Sequence, residues 1–370
     1  MTGTPVRAAI IGLGRMGSTF DDEAGQYGRW QPPHAHAACF RAVPGVALVA
    51  GADPYGEQRA AFSAKWGVTP DHLYDDYHAM LARERPEIVS VCTTTTPRAR
   101  IIHDIATADV GVRAIWAEKP LAISLAEADE IVTVCRRAGI LLAVGASRCW
   151  DATYNRMREL IDAGAIGQVL QVNGLGSCTL SHNGSHLLTL VRYLAGGDCA
   201  WVSGHVHDDG SDTDFAGNGY LQFDTGAQAF IRSLPCGAAE WEFDVIGTEG
   251  RLRALSDAEE VEFWQLAPPT LPGRRKEPVR RVFPRPAMAR TANARIVEDI
   301  LTGLATGKEP NCNGEAARQA LEIAIALRES HRRGGARIEL PLADRTLRIQ
   351  SSETLHGDEP VALRRQRAAS

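Results

Sequence analysis

Five short apolar runs punctuate the first half of the chain: Val6–Ile11, Val46–Ala52, Ile88–Cys92, Ala114–Ala117 and Ile140–Val144. Runs of this length without polar alternation read as parallel strands buried on both faces. Around them, apolar residues recur at helical spacing in Ala35–Ala42, Gly56–Trp66, Asp75–Arg85, Arg100–Thr107 and Leu125–Ala138. Strand and helix in alternation predict a doubly wound parallel sheet. The rhythm changes near residue 150: Asn155–Ala163 reads as a helix closed by Gly164 and Gly167, Val169–Val172 begins a strand, and His186–Leu194 is helical. From Trp201 to about Phe283, strand-like stretches follow one another across turns at Phe223–Gly226, Ile246–Gly250 and Leu255–Asp257. With no helix between them they predict a largely antiparallel sheet. Pro268–Pro286, rich in proline and arginine, is expected to be an exposed loop, and the helical stretches Ala292–Thr306 and Gly314–Arg333 to pack back on the body. The fold class is α/β: a doubly wound parallel-sheet domain over 1–148, an α/β domain with a large, mostly antiparallel open sheet over 149–350, and a polar, frayed tail over 351–370.

Composition narrows the functional classes. The chain has 370 residues, enough for two domains, and its 44% hydrophobic and 23% charged content is that of an ordinary globular protein. A formal net charge of -5 gives no basic field for nucleic acid or an anionic membrane. No apolar run approaches the roughly 18 residues of a transmembrane helix. Without a basic-then-apolar leader after Met1, a cytoplasmic location is expected. The eight cysteines, at 39, 92, 135, 149, 178, 199, 236 and 312, form no CxxC pair and suit a reducing compartment better than a disulfide framework.

The first candidate chemistry follows the first strand. Gly12-Leu13-Gly14-Arg15-Met16-Gly17 has the spacing of a dinucleotide loop opening a helix. One glycine permits the tight turn, one lets backbone approach a pyrophosphate, and one allows close helix–strand packing, while helix N-terminal amides meet the phosphate charge. Its place after a buried strand favours a Rossmann arrangement over the alternative, an ordinary glycine turn. Asp53 ends the second strand, where an acid accepts hydrogen bonds from the adenosine ribose and repels a 2′-phosphate, favouring NAD over NADP. Its plain alternative is a turn acid before Pro54. Asp53 lies well beyond the usual ~20-residue spacing, and residues 21–33, with Tyr27 and Trp30, look like an inserted loop, either a lid or plain surface. Lys119 follows the run Ala114–Ala117 and so stands at a C-terminal strand edge, where open α/β sheets bind ligands. An ammonium there can stabilise developing alkoxide charge; the bland reading is a solvated loop lysine.

With Glu118-Lys119-Pro120 the chain resembles the Gfo/Idh/MocA family, the glucose-fructose oxidoreductase and inositol dehydrogenase group. Gly12–Gly17, the Thr93-Thr94-Thr95-Thr96-Pro97 loop and Gly184-Ser185-His186 complete the ordered set, from the glycine loop to about residue 340. The resemblance implies NAD held by Gly12, Gly14, Arg15, Met16, Gly17, Asp53, Thr93, Thr94, Thr95, Glu118 and Lys119. It implies oxidation or reduction of a sugar or cyclitol alcohol, and a homodimer or homotetramer built on the open sheet. Lys119, His186 and His182 are the catalytic candidates. The family commonly has Asp-x-Gly-x-His where this chain has His182-Asn183-Gly184-Ser185-His186, and a further acid where it has Thr189. The histidine is kept and the acids are not, so any carboxylate orienting His186 must come from elsewhere. Arg98 and Arg100 stand where a family histidine is frequent.

Arg148, Trp150, His182 and Trp241 are the substrate-binding candidates. The alternatives are a surface ion pair for Arg148 and a shared core face for Trp241 and Phe243. Four-residue spacing would also put His182 and His186 on one helix face as a metal pair, a reading disfavoured by Gly184 between them; no metal is expected. Asn183-Gly184-Ser185 matches a glycosylation sequon, discounted for want of a leader. Two other functions suit the same motifs: a glycosidase or epimerase that oxidises its sugar transiently, and a dinucleotide-binding sensor without turnover.

Overall fold

The five apolar runs of the first half are strands, joined by one that the pattern does not show. They are β1 (Val6–Ile11), β2 (Val46–Ala52), β3 (Leu73–Tyr74), β4 (Ile88–Val91), β5 (Ala114–Ala117) and β6 (Leu141–Val144). At two residues, β3 is too short for any periodicity to register. The helices of this half are α1 (Phe20–Ala24), α2 (His36–Ala42), α3 (Gly56–Trp66), α4 (Tyr77–Glu84), α5 (Thr95–Thr107) and α6 (Leu125–Arg137). Next come α7 (Ala152–Asp162), β7 (Val169–Gly176), α8 (Gly184–Ala195), β8 (Cys199–Val206), β9 (Gly217–Phe223), β10 (Gln228–Ser233), β11 (Glu242–Gly247), β12 (Gly250–Leu255), β13 (Glu260–Ala267) and β14 (Glu277–Arg281). The chain closes with α9 (Ala292–Thr306), α10 (Gly314–Arg332) and β15 (Ile338–Glu339). This computed structural model describes residues 4–24, 31–233, 241–269, 274–287 and 290–350. Tyr27 and Trp30 of the suggested lid, Cys236 and the tail from residue 351 lie outside the described residues.

Contacts divide the chain into two units, one of Met1–Trp150 with Ala289–Arg318, the other of Asp151–Met288 with Gln319–Ser351. In the first, the strands run in the order β3-β2-β1-β4-β5-β6 and every pair is parallel. This is the doubly wound order whose direction reverses between β1 and β4. Helix starts depend on local capping. Asp151 accepts the amides of Thr153 and Tyr154, so α7 begins at Ala152, ahead of the apolar periodicity. α5 begins at Thr95, five residues before the expected Arg100. Pro97 falls in its first turn, where a missing N–H loses no helical partner.

The second unit holds a nine-stranded sheet, β14-β13-β12-β11-β7-β10-β9-β8-β15, in which only β7 and β10 pair in parallel. Strict inside–outside alternation along β10 marks a sheet covered on one face. α8 covers that face: a Cβ on Gly174 would stand 2.7 Å from Val191 and 3.0 Å from Leu187. Two expectations are corrected. Pro268–Pro286 contains β14, an edge strand exposed at every residue and therefore without apolar alternation. Trp241 does not share a strand with Phe243: it precedes β11 with φ 47°, while Phe243 is fully buried.

Among the described residues seven cysteines are free, and no helix is long and apolar enough to cross a membrane. α10 reaches the sheet through Leu327, which lies over Gly204 and Gly219; a Cβ on Gly219 would come within 2.5 Å of its Cδ2. Gly219→Ala is therefore expected to cost about 1–3 kcal/mol by overpacking. The loss should be smaller in a Leu327→Ala background, as read from urea unfolding midpoints of the four proteins of that cycle.

Candidate active site

β1 and β4 pair in parallel where the strand order reverses, so their C-terminal ends share one edge of the sheet. Gly12 leaves β1 with φ 90°, and a Cβ there would stand 2.9 Å from the backbone of Cys92 and Thr93. A Cβ on Gly17 would overlap the Gly12 carbonyl oxygen. Gly14, between them, meets nothing within 4 Å. The loop is thus packed at its outer glycines and open at its centre. Arg15 and Met16 begin a π-helical turn, Arg15–Thr19, that leads into α1. The Arg15 guanidinium pairs with Glu23 at 2.9 Å and lies over Phe20.

Asp53 is joined to this loop. Its Oδ2 accepts the Leu13 amide at 2.9 Å and its Oδ1 the Tyr55 amide at 3.0 Å. Burial raises its carboxyl above the ordinary range, against these bonds and the nearby Arg59. Each oxygen keeps a lone pair for a further donor. Beyond β4, the Oγ1 atoms of Thr93 and Thr95 are buried without a hydrogen-bond partner. Thr94 caps α5.

Lys119 is half-buried and sits two residues beyond β5. Glu118, 6% exposed, turns its carboxylate back so that Oε2 accepts the Lys119 amide at 3.2 Å. The fully buried Arg98 of α5 donates to the carbonyls of Pro120 and Thr93, tying the Glu-Lys-Pro loop to the threonine loop. Arg98 is thus a clamp between two loops of the site, whereas Arg100 is exposed and pairs with Asp104. Arg148 is half-buried on the turn after β6. Trp150 requires correction as a substrate contact: it is 1% exposed, and its indole N–H donates to Asp299 at 2.8 Å, packing the turn against α9.

In the second unit, Gly184 opens α8 and places His186, 9% exposed, in its first turn. His182 lies in the preceding turn, outside the helix that carries His186. Among the described residues no cluster of three or more His, Cys, Asp or Glu is arranged to hold a metal. Trp241 is half-buried and presents itself edge-to-face to His186, ring centroids 6.1 Å apart.

Asp214 was not among the sequence candidates. Its carboxylate accepts the Ser181 amide, the His182 amide and the Thr179 hydroxyl, each at 2.7 Å, and so fixes the turn that carries His182. Burial raises its carboxyl against those three bonds. Its only signal was membership of an acidic run, Asp208-Asp209-Gly210-Ser211-Asp212-Thr213-Asp214, in which nothing marks the last acid as buried. His36 was equally hidden, as one polar residue in the α2 pattern.

Residues 6–146 match the family model described as an oxidoreductase family with an NAD-binding Rossmann fold, and residues 173–253 match the GFO/IDH/MocA C-terminal domain. The chain belongs to the Gfo/Idh/MocA oxidoreductase family. It is 28% identical over 272 residues to scyllo-inositol 2-dehydrogenase (NAD(+)) of Bacillus subtilis, spanning 67% of this chain and 73% of that one. It is 35% identical over 134 residues to D-apiose dehydrogenase of Paraburkholderia graminis, 36% of this chain and 34% of that one. In fold it is similar to the aldose-aldose oxidoreductase of Caulobacter crescentus, with TM-score 0.71 and 20% identity over 91% of this chain and 100% of that one. The Gfo/Idh/MocA Rossmann unit takes NAD, and the residues here fit it: open space over Gly14, unpartnered hydroxyls at Thr93 and Thr95, and spare acceptor capacity on Asp53.

If Trp150 is a core residue, Trp150→Phe removes the indole donor to Asp299 and leaves a void where the larger ring stood. A loss of about 2–3 kcal/mol is expected, seen as a fall of several degrees in Tm, with kcat/KM unchanged. A selective rise in KM would restore it to the substrate site.

Proposed function

We propose that this protein is an NAD-dependent dehydrogenase or reductase acting on a secondary alcohol of a sugar, cyclitol or related polyol, with Lys119 polarising the hydroxyl and His186 as general base. The observation that carries the reading is the placement of Lys119. It stands at the C-terminal edge of β5 in an NAD-binding Rossmann unit, its backbone held by Glu118 and its loop by Arg98. The relatives named as inositol and apiose dehydrogenases support the substrate class.

Bound NAD supplies the hydride acceptor, with Gly12–Gly17 at its pyrophosphate, Asp53 at its adenosine ribose and Thr93–Thr95 beside its nicotinamide. The chain's own groups do the rest. The Lys119 ammonium donates to the reacting oxygen and stabilises the negative charge that grows there as the proton leaves. His186 takes that proton; an imidazole with an ordinary pKa near 6.5 is suited to do so at neutral pH. His182, in place of the usual acid, donates to a substrate hydroxyl or shares the proton, on a turn that Asp214 holds still. Arg148 and Trp241 supply the remaining contacts to the polyol. The proposal includes a cytoplasmic homodimer or homotetramer: the free cysteines suit a reducing compartment, and Phe230, 47% exposed, offers apolar surface on the open face of the sheet.

A panel of sugars, cyclitols and glycosides with NAD and NADP, followed by absorbance of the reduced nicotinamide, tests the class. Net accumulation of NADH is expected; product formation without it would indicate transient oxidation. Lys119→Met is expected to lower kcat on the order of 10²–10³-fold. Full turnover in a folded Lys119→Met protein would sink the assignment. Asp53→Ser removes the charge facing a 2′-phosphate and is expected to shift the NAD-to-NADP preference in kcat/KM by roughly tenfold or more toward NADP.

A further inference from the structure

His36 opens α2 and is fully buried, its ring stacked on Trp116 of β5 with centroids 3.4 Å apart and planes 14° off parallel. Both ring nitrogens are engaged: Nδ1 with the Ser90 hydroxyl of β4, and Nε2 with Glu118 Oε1 at 3.1 Å. Burial lowers the His36 pKa further than Glu118 raises it, so the imidazole is neutral and carries one proton. That proton sits on Nε2, because an ionised carboxylate can only accept. Nδ1 then accepts from Ser90, whose oxygen in turn accepts from the Cys92 thiol at 3.2 Å. Burial pushes that thiol up, so it keeps its proton. A single direction of donation therefore runs Cys92, Ser90, His36, Glu118, and the far oxygen of Glu118 accepts the Lys119 amide.

Glu118 is held ionised in a dry place. Burial pushes its carboxyl up, but the His36 bond together with Lys119 and Arg98 outweighs that and brings it below the ordinary range. The groups that face it are His36 from α2, Lys119 on its own loop, Arg98 from α5 and Cys92 beyond β4. Room for its carboxylate comes from Gly145, where a Cβ would stand 3.1 Å from Oε1. A hydrophobic pair would fill this core with less desolvation. A charge retained here, against the backbone of the one lysine the reaction needs, points to a role beyond packing.

We propose that His36 is a positioning residue of the reaction: its Nε2–H holds the Glu118 carboxylate against the Lys119 amide and so sets where Lys119 stands. The proposal rests on the reading of Lys119 as the hydroxyl-polarising group. Without the donor, Glu118 takes up a proton at higher pH, because burial is then less opposed. A protonated Glu118 no longer anchors Lys119 in the same way, so activity fails earlier on the acid side.

The test uses the full chain with NAD and whichever polyol it turns over. His36→Phe keeps an aromatic ring against Trp116 and removes the donor; His36→Gln offers an amide N–H at the position of Nε2. His36→Phe is expected to lower kcat roughly 10- to 100-fold, as a misplaced catalytic group does. It should also move the acid limb of kcat/KM upward by about one pH unit, and Tm is expected to fall because a buried carboxylate loses its donor. His36→Gln should recover most of both. An unshifted acid limb with wild-type kcat in His36→Phe overturns the proposal, as does a pH profile in His36→Gln no closer to wild type than that of His36→Phe. Should His36→Phe not fold, His36→Leu carries the test: it also removes the Nε2–H donor while keeping an apolar side chain against Trp116, an upward shift of the acid limb is expected, and an unchanged profile overturns the idea. Lys119→Met is measured alongside. Turnover retained there removes the underlying reading, whereas turnover lost there with an unaltered His36→Phe enzyme removes only this proposal.

Discussion

A negative charge at the end of β5 has to be kept ionised where water does not reach it, and much of the first unit is arranged around that requirement. Glu118 is stabilised from α2, from α5 and from its own loop, and each element that supplies a partner is also a piece of the site. α5 brings Arg98, which also ties the threonine loop to the Glu-Lys-Pro loop. α2 brings His36, locked by stacking on Trp116 and by Ser90 of the neighbouring strand. Buried polar networks of this kind tolerate little movement, because any member left unsatisfied costs more than the bond itself contributes. The site therefore inherits the rigidity of the sheet beneath it.

The parts of the fold that repeat were legible in the sequence, and the parts that occur once were not. The runs that became β2 and β5 announce themselves by unbroken apolar character, and the α3 and α9 boundaries by spacing and a following glycine. β3 is too short to carry a period and β14 too exposed to carry a contrast. The same division holds for the site. Gly12, Gly17 and Asp53 are recognisable because backbone geometry dictates their type and position. Asp214, Arg98 and His36 are defined by partners 32 or more, 22 and 82 residues away, and no local pattern reports such distances. Trp150 shows the converse error: an aromatic in a loop of the right family position proved to be a core side chain with its donor already spoken for.

The second unit solves a related problem with different material. The turn bearing His182 has no secondary structure of its own, and a single buried carboxylate, from the stretch between β8 and β9, gathers three of its donors. The acid expected beside the histidine is absent from its usual place. An acid does stand behind that turn, holding backbone and a threonine hydroxyl rather than a catalytic imidazole. The turn is thus held by a carboxylate remote in sequence, independent of any acid at position 182.

The two rims of the nine-stranded sheet bear on how copies of this protein can meet. A free strand edge is a row of unpaired backbone groups that invites another strand to add on. Here one rim is β14, which carries Pro278 with no N–H to offer, and Arg280 and Arg281, whose charges repel the same rim of a neighbour. The opposite rim is β15, only two residues long. Neither can template a growing ribbon. The sheet can be wide and open-faced yet resist endless lateral stacking through its edges.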